Sequence, residues 1–371
     1  MCALTNNIPS ILLATESLAP GNGGICRVAR LMARVLAKEH TQGLIRVEAV
    51  SLSDNRQSVG LWPFPVITCS KSRLHFVWTV QNARWSHSHV IYDFAGMARA
   101  HRVLGRNNQP YATWMHGIEV WEGARKEHLK SVHDANFLFS NSAFTRGRSD
   151  ALHGGLSDAK LCWLATEEDV AGPQRERPHG HTVMILGRMD SSNAARYRRY
   201  KGHEQLIECW HEVVAAVPDA RLLIIGGGPG KSEVMALAKA SPAADSIEFR
   251  GFVPDSAMAE VFAESDVFAM PSRGEGFGLV YIEAMRNRLP VIASKHDAAP
   301  EVNIEGETGY NVDLDQPAQL PERIIHLLKN PDVARRMGEA GQARWNQHFR
   351  FGAFRDRFQP LLREWLGRSQ A

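Results

Sequence analysis

Short apolar runs alternating with longer amphipathic stretches constrain this chain most, because that alternation packs helices on both faces of a parallel sheet. In the first half the runs lie at 11–14, 46–52, 89–94, 111–116, 136–139 and 161–164. A polar stretch with two prolines, EEDVAGPQRERPHG at 167–180, then breaks the pattern and reads as a linker. The pattern restarts at 183–186, 221–225, 247–249, 267–270 and 290–293. A length of 371 residues is too great for one ordinary core and suits two domains. The expected fold is therefore α/β, with two Rossmann-like, doubly wound domains at 1–170 and 181–353. Two such units joined by one linker imply a cleft fed by the carboxyl ends of both sheets. The final stretch, 354–371, reads as a terminal helix returning to the first domain, kinked or split by Pro360.

Composition removes other classes. An apolar content of 44% with 22% charged residues describes a globular chain, and a net charge of +3 provides no field for nucleic acid. No run approaches the roughly 18 apolar residues that a spanning helix needs. The opening MCALTNNIPSILLATES has no basic leader, so a cytoplasmic protein is expected. Cys2, Cys26, Cys69, Cys162 and Cys209 are scattered without metal or redox spacing and read as reduced core thiols.

The glycine-rich segment at 226–232, GGGPGKS, follows a strand-like run but fits neither common phosphate fingerprint. A P-loop needs glycine where Ile225 stands, and a dinucleotide turn needs glycine where Lys231 stands. A tight strand-to-helix turn near a ligand site is the better reading. A stronger signal is PSRGEGFGLVYIEAM at 271–285, where glycines give way to an apolar-periodic helix. Amides of Gly276, Phe277 and Gly278 at a helix N-terminus make an anion site. Glu275 and Glu283 lie eight residues apart, slightly over two helical turns, and so are expected to face the same cleft. Carboxylates there suit sugar and ribose hydroxyls, which they bind as acceptors.

These residues resemble family 4 of the retaining GT-B glycosyltransferases, also called glycosyl transferases group 1. Glu275 and Glu283 reproduce that family's E-x7-E element with its internal Gly-Phe-Gly, through Leu279. Gly187-Arg188 with Tyr200-Lys201-Gly202-His203 looks like its donor-phosphate element, and Gly21-Asn22-Gly23-Gly24 like its N-terminal glycine loop. The strand ending at Val253 is similar to the one beside the nucleobase. Residues 291–294 with Gly309-Tyr310 fit its last strand and turn. The loop between Arg188 and Lys201 is longer than the family's usual one and carries Arg196, Arg198 and Arg199.

The resemblance implies transfer of a sugar from a UDP- or GDP-sugar to a glycan or lipid-linked acceptor, with retention, no cofactor and no required metal. It assigns catalysis to Glu275, His116, Arg188 and Lys201. Donor binding falls to Gly23, Gly24, Arg188, Lys201, Val253, Gly276, Phe277, Gly278, Leu279 and Glu283. A planar guanidinium paired with a mobile ammonium also suits a departing diphosphate on physical grounds. His116 ends a buried run, where an ordinary structural histidine is equally common. The Asp313–Asp315 pair suggests a metal but sits in a polar stretch near a proline and reads as a loop. Rival readings stay open: a nucleotide-sugar epimerase or phosphorolytic enzyme on this fold, or a non-catalytic partner subunit. Arg27, Arg30, Arg34 and Lys38 recur every three or four residues, and this stripe is expected to dock the protein on an anionic membrane surface.

Overall fold

The computed structural model describes residues 8–21, 23–60, 62–102, 109–172, 180–191 and 200–368. The basic residues Arg196, Arg198 and Arg199, together with Cys2, Asn22 and the linker residues 173–179, lie outside the described residues. The chain divides into one unit of 1–167 with 351–371 and another of 168–350.

The first unit runs β1 (Ser10–Thr15), α1 (Gly23–Thr41), β2 (Arg46–Ser51), β3 (Val66–Thr68) and α2 (Arg73–Ala83). It continues through β4 (His89–Tyr92), α3 (Ala95–Ala98), β5 (Tyr111–Met115), α4 (Lys126–His133), β6 (Phe137–Ser140), α5 (Ala143–His153) and β7 (Lys160–Leu161). All seven strands are parallel, in the order β3-β2-β1-β4-β5-β6-β7. Central strands such as β1 and β5 are buried at every position, as expected of strands covered by helices on both faces. Strand β3 has no counterpart among the apolar runs. It is three half-buried residues at the sheet edge, too short for any periodic signal.

The second unit runs β8 (Thr182–Leu186), α6 (His203–Ala216), β9 (Arg221–Ile225), α7 (Lys231–Ala240), β10 (Ile247–Gly251) and α8 (Met258–Ala263). Then come β11 (Val267–Ala269), α9 (Leu279–Arg286), β12 (Val291–Ser294), α10 (Ala299–Val302), β13 (Gly309–Val312), α11 (Gln319–Lys329) and α12 (Pro331–His348). Its parallel sheet has the order β10-β9-β8-β11-β12-β13. Gly309-Tyr310 opens the sixth strand of this sheet, paired along β12, where the sequence suggested a strand end and turn.

The terminal helix α13 (Phe351–Arg368) belongs to the first unit and runs unbroken through Pro360, which corrects the expected split. Phe354 and Phe358 stack near Trp114, and Trp365 sits edge-on to His89. Anchors on both sides of the proline offset the lost backbone hydrogen bond.

The basic stripe on α1 is also corrected. Arg30 is buried, with both Nε and Nη2 on the Glu167 carboxylate at 2.6 Å and Nη1 on the Ala19 carbonyl. Arg34 donates to the Glu167 carbonyl at 2.6 Å and lies 3.6 Å from the Phe351 ring centroid. Two of the four cations are thus structural, and no four-residue lipid-facing stripe exists on this helix.

Candidate active site

In both sheets the strand order reverses once, between β1 and β4 and between β8 and β11. Crossovers leave in opposite directions at such a point, so the carboxyl ends of the two strands stand open to a ligand. In the second unit the residues following β8 and β11 are Gly187-Arg188 and the 271–278 loop that holds Glu275.

Lys201, just before α6, lies against both: its Cγ is 3.7 Å from where a Cβ of Gly187 would stand, and its ammonium reaches Glu275. The Lys201 ammonium pairs with the Glu275 carboxylate, their side chains only 15% and 17% exposed. Burial opposes the ammonium's charge, yet Glu275 and then Tyr200 hold it above its ordinary pKa. Burial, with Lys201 beside it, pushes the His203 imidazole down to about 4. The Arg273 amide donates to the Tyr200 carbonyl at 2.9 Å, tying the loop after β11 to the start of α6. Arg188 differs: its side chain is 68% exposed, with Nε 3.0 Å from Asp190 Oδ1.

The glycine-rich turn at 226–230 fits behind Arg188. A Cβ at Gly226, whose φ is +119°, would fall 2.2 Å from the Gly187 carbonyl oxygen. The glycines therefore let the loops after β8 and β9 touch backbone to backbone. No phosphate role is needed to explain them.

The spacing argument for Glu275 and Glu283 is corrected. Helix α9 begins at Leu279, with Gly278 at its N-cap in the left-handed region. Glu275 lies outside the helix, so eight residues do not represent two turns here. Glu283 sits half-buried inside α9. Gly276, Phe277 and Gly278 are buried, and the Phe277 ring meets Phe349 edge-on at 6.0 Å. Val253 follows β10 and is half-buried.

Glu275 owes its position to a residue that sequence reasoning missed. Asp297, buried in the loop after β12, accepts the Glu275 amide on Oδ2 at 2.9 Å and the Ala299 amide on Oδ1 at 3.0 Å. Burial raises its carboxyl to about 7, against the opposing pull of those amides. Nothing in SKHDAAP marks Asp297 as different from an ordinary loop acid.

His296, Asp313 and Asp315 form the one grouping among the described residues with metal-ligand atoms within 4.8 Å of one another. Lys295 Nζ lies 2.7 Å from Asp313 Oδ2, and Arg273 Nη2 lies 2.6 Å from Asp315 Oδ1. Each carboxylate thus has a cation partner.

The first unit has its own polar cluster at its reversal point. Asp93, after β4, is fully buried and accepts Thr15 Oγ1 at 2.6 Å and the Glu16 amide at 2.8 Å. Burial raises it to about 7. His116, after β5, places Nε2 2.6 Å from the Asp93 carbonyl, while its amide donates to Glu119 Oε1 at 2.6 Å. Gly23 and Gly24 are exposed at the start of α1. An acid closing the apolar run 89–94 was the available signal for Asp93.

Residues 191–344 match the family model described as glycosyl transferases group 1. The chain is 35% identical over 301 residues to a GDP-mannose-dependent alpha-(1-6)-phosphatidylinositol monomannoside mannosyltransferase of Mycolicibacterium smegmatis, covering 76% of this chain and 75% of that one. It is 32% identical over 267 residues to a GDP-mannose-dependent monoacylated alpha-(1-6)-phosphatidylinositol monomannoside mannosyltransferase of Corynebacterium glutamicum, covering 67% and 68%. Among solved structures, a sucrose-phosphate synthase from Thermosynechococcus elongatus superposes with a TM-score of 0.79 at 20% identity, covering 96% and 98%. Anabaena Alr3699/HepE in complex with UDP superposes at 0.74 with 17% identity, covering 96% and 100%. At those identities the likeness is one of fold.

Proposed function

The chain belongs to the glycosyl transferases group 1 and is a nucleotide-sugar glycosyltransferase; we propose that it transfers a hexose with retention to a lipid-linked or glycan acceptor, without a metal. The observation that carries this reading is the Lys201–Glu275 pair at the β8/β11 reversal, where Arg188 also follows β8. In this arrangement each charge serves as counter-ion to the other. When a nucleotide sugar arrives, Lys201 and Arg188 take the diphosphate and Glu275 is released to the sugar hydroxyls. Glu283 on α9 is assigned to the ribose, and the amides of Gly276, Phe277 and Gly278 to phosphate oxygens.

The leaving diphosphate accumulates charge as the glycosidic bond breaks. An exposed guanidinium and a partly buried ammonium stabilise that charge more in the transition state than in the bound substrate. The same diphosphate oxygen then takes the acceptor proton on the face it leaves, which preserves the anomeric configuration. His116, Gly23 and Gly24 are the first unit's proposed contributors, and that unit is left for the acceptor. GDP-mannose is the first donor to try, because both curated relatives are named for it.

A membrane face for this chemistry is supported by α2. Leu74 and Trp78, one helical turn apart, are 86% and 64% exposed, and Trp85 just beyond the helix is 70% exposed. Lys71 and Arg73 stand exposed beside them. Between Asp54 and Glu119 the only acidic residue is the buried Asp93. Aromatic and aliphatic side chains with flanking cations suit the interface of an anionic bilayer. Among the described residues no helix is long and apolar enough to cross a membrane.

The test is slow hydrolysis of GDP-mannose and UDP-glucose by the wild type and by Glu275→Gln, each with and without EDTA. The variant should still bind nucleotide but turn over at least ~100-fold more slowly, and EDTA should change neither protein. Full turnover by the variant would remove Glu275 from the chemistry, and loss on chelation that Mg²⁺ restores would overturn the metal-free reading.

A further inference from the structure

We infer that Asp297 is the positioning residue for Glu275, a carboxylate that touches no substrate but sets the backbone from which Glu275 reaches the sugar. This inference rests on the transferase reading above. Glu275 stands on a loop four residues before α9, so helical hydrogen bonds do not hold it. Both of its backbone groups are instead tied to residues 297–298. The Asp297 carboxylate takes the Glu275 amide, and the Ala298 amide donates to the Glu275 carbonyl at 3.1 Å. The other Asp297 oxygen holds the Ala299 amide, which anchors the clamp to α10.

The loop on the Glu275 side is braced as well. Ser272 Oγ accepts the Gly274 amide at 3.1 Å, and Ser294 donates its hydroxyl proton to the Ser272 carbonyl. The charged and titratable groups facing Asp297 are Glu275, which disfavours its ionised form, Lys201 and the buried Tyr281. The Ser272 hydroxyl also stabilises the carboxylate.

The ionised carboxylate accepts both amides most strongly. A proton on either oxygen makes that oxygen a hydroxyl, a much weaker acceptor, and adds an O–H donor beside the N–H groups. Because burial brings this carboxyl to about 7, the clamp is complete above neutral pH and loosens below it. A misplacement of about 1 Å at a reacting group can cost ~100-fold in rate, so the clamp should be visible in turnover.

The experiment compares the wild type, Asp297→Asn and Ser272→Ala by amide hydrogen exchange at the Glu275 backbone, corrected for intrinsic rate, and by kcat for donor hydrolysis from pH 5.5 to pH 9, a range chosen around about 7. The wild-type Glu275 amide should be protected at high pH and lose at least ~10-fold of that protection on the acid side, with kcat falling in parallel. Asp297→Asn, with one acceptor oxygen for two amides, should be less protected than the wild type at high pH and lose ~100-fold in kcat, with donor KM within about 2-fold and no acid limb. Ser272→Ala should keep the clamp but move the limb to higher pH. An Asp297→Asn protein with wild-type protection and an unchanged acid limb would overturn the inference. A wild type that hydrolyses no nucleotide sugar would overturn the transferase reading instead, and the exchange data would still decide the clamp.

Discussion

Two buried acids show how a single residue can oppose stability and serve a site. Asp93 and Asp297 both sit after a strand's carboxyl end, and burial raises each to about 7. The folded protein holds those protons more tightly than the unfolded chain does. Their contribution to stability is therefore full below about pH 4 and is lost as pH rises through about 7. For Asp93 the slope approaches one proton, or about 1.4 kcal/mol per pH unit within that window. Asp93→Asn should flatten the dependence of the denaturation midpoint on pH between about 4 and 7. An unchanged slope would show that Asp93 is ionised in the folded protein. Glu275 and Lys201 were legible from motif alone, but their mutual pairing was not, because seventy-four positions separate them in the chain.

Among the elements, α1 does not present the charged face that its sequence suggests. Spacing made α1 look like the charged face, yet its arginines reach Glu167 and Phe351 through contacts far along the chain. Helix α2 buries Phe76, Thr79, Val80 and Gln81 on one side and exposes Leu74 and Trp78 on the other. Its exposed face thus mixes Leu74 and Trp78 with Arg73, His75 and Asn82, where an ordinary surface helix is polar throughout. A protein with Leu74, Trp78 and Trp85 all changed to Ser should fold normally but cosediment less with anionic vesicles. Changing Arg27 and Lys38 to Gln should matter little by comparison. Equal vesicle binding by the wild type and the triple variant would leave α2 without a membrane role.

For the whole molecule, the chain closes its first unit with its last helix. Phe354, Phe358, Leu362 and Trp365 of α13 are buried, Arg357 donates to the Trp163 carbonyl, and Gln359 donates to Glu39. At about 1.5–3 kcal/mol for each buried side chain, the four together rival the total stability of a typical domain. Deleting 351–371 should therefore unfold the first unit, seen as loss of its thermal transition, while the second unit still binds nucleoside diphosphate by calorimetry. Retention of both transitions would refute this account of α13.

The sequence by itself determined the two α/β units, nearly every strand and the segments proposed to hold the donor. Those signals are local: apolar runs, a polar interruption, glycines before a helix. Strand β3 escaped because three residues carry no period, and Pro360 misled because its anchors lie elsewhere in the chain. Tertiary structure alone decided that Arg30 and Arg34 are held by Glu167, that Glu275 stands outside α9, and that Asp297 holds it there. Each of these depends on a partner distant in sequence, where charge pairing and hydrogen bonding are set by topology and not by neighbours along the chain.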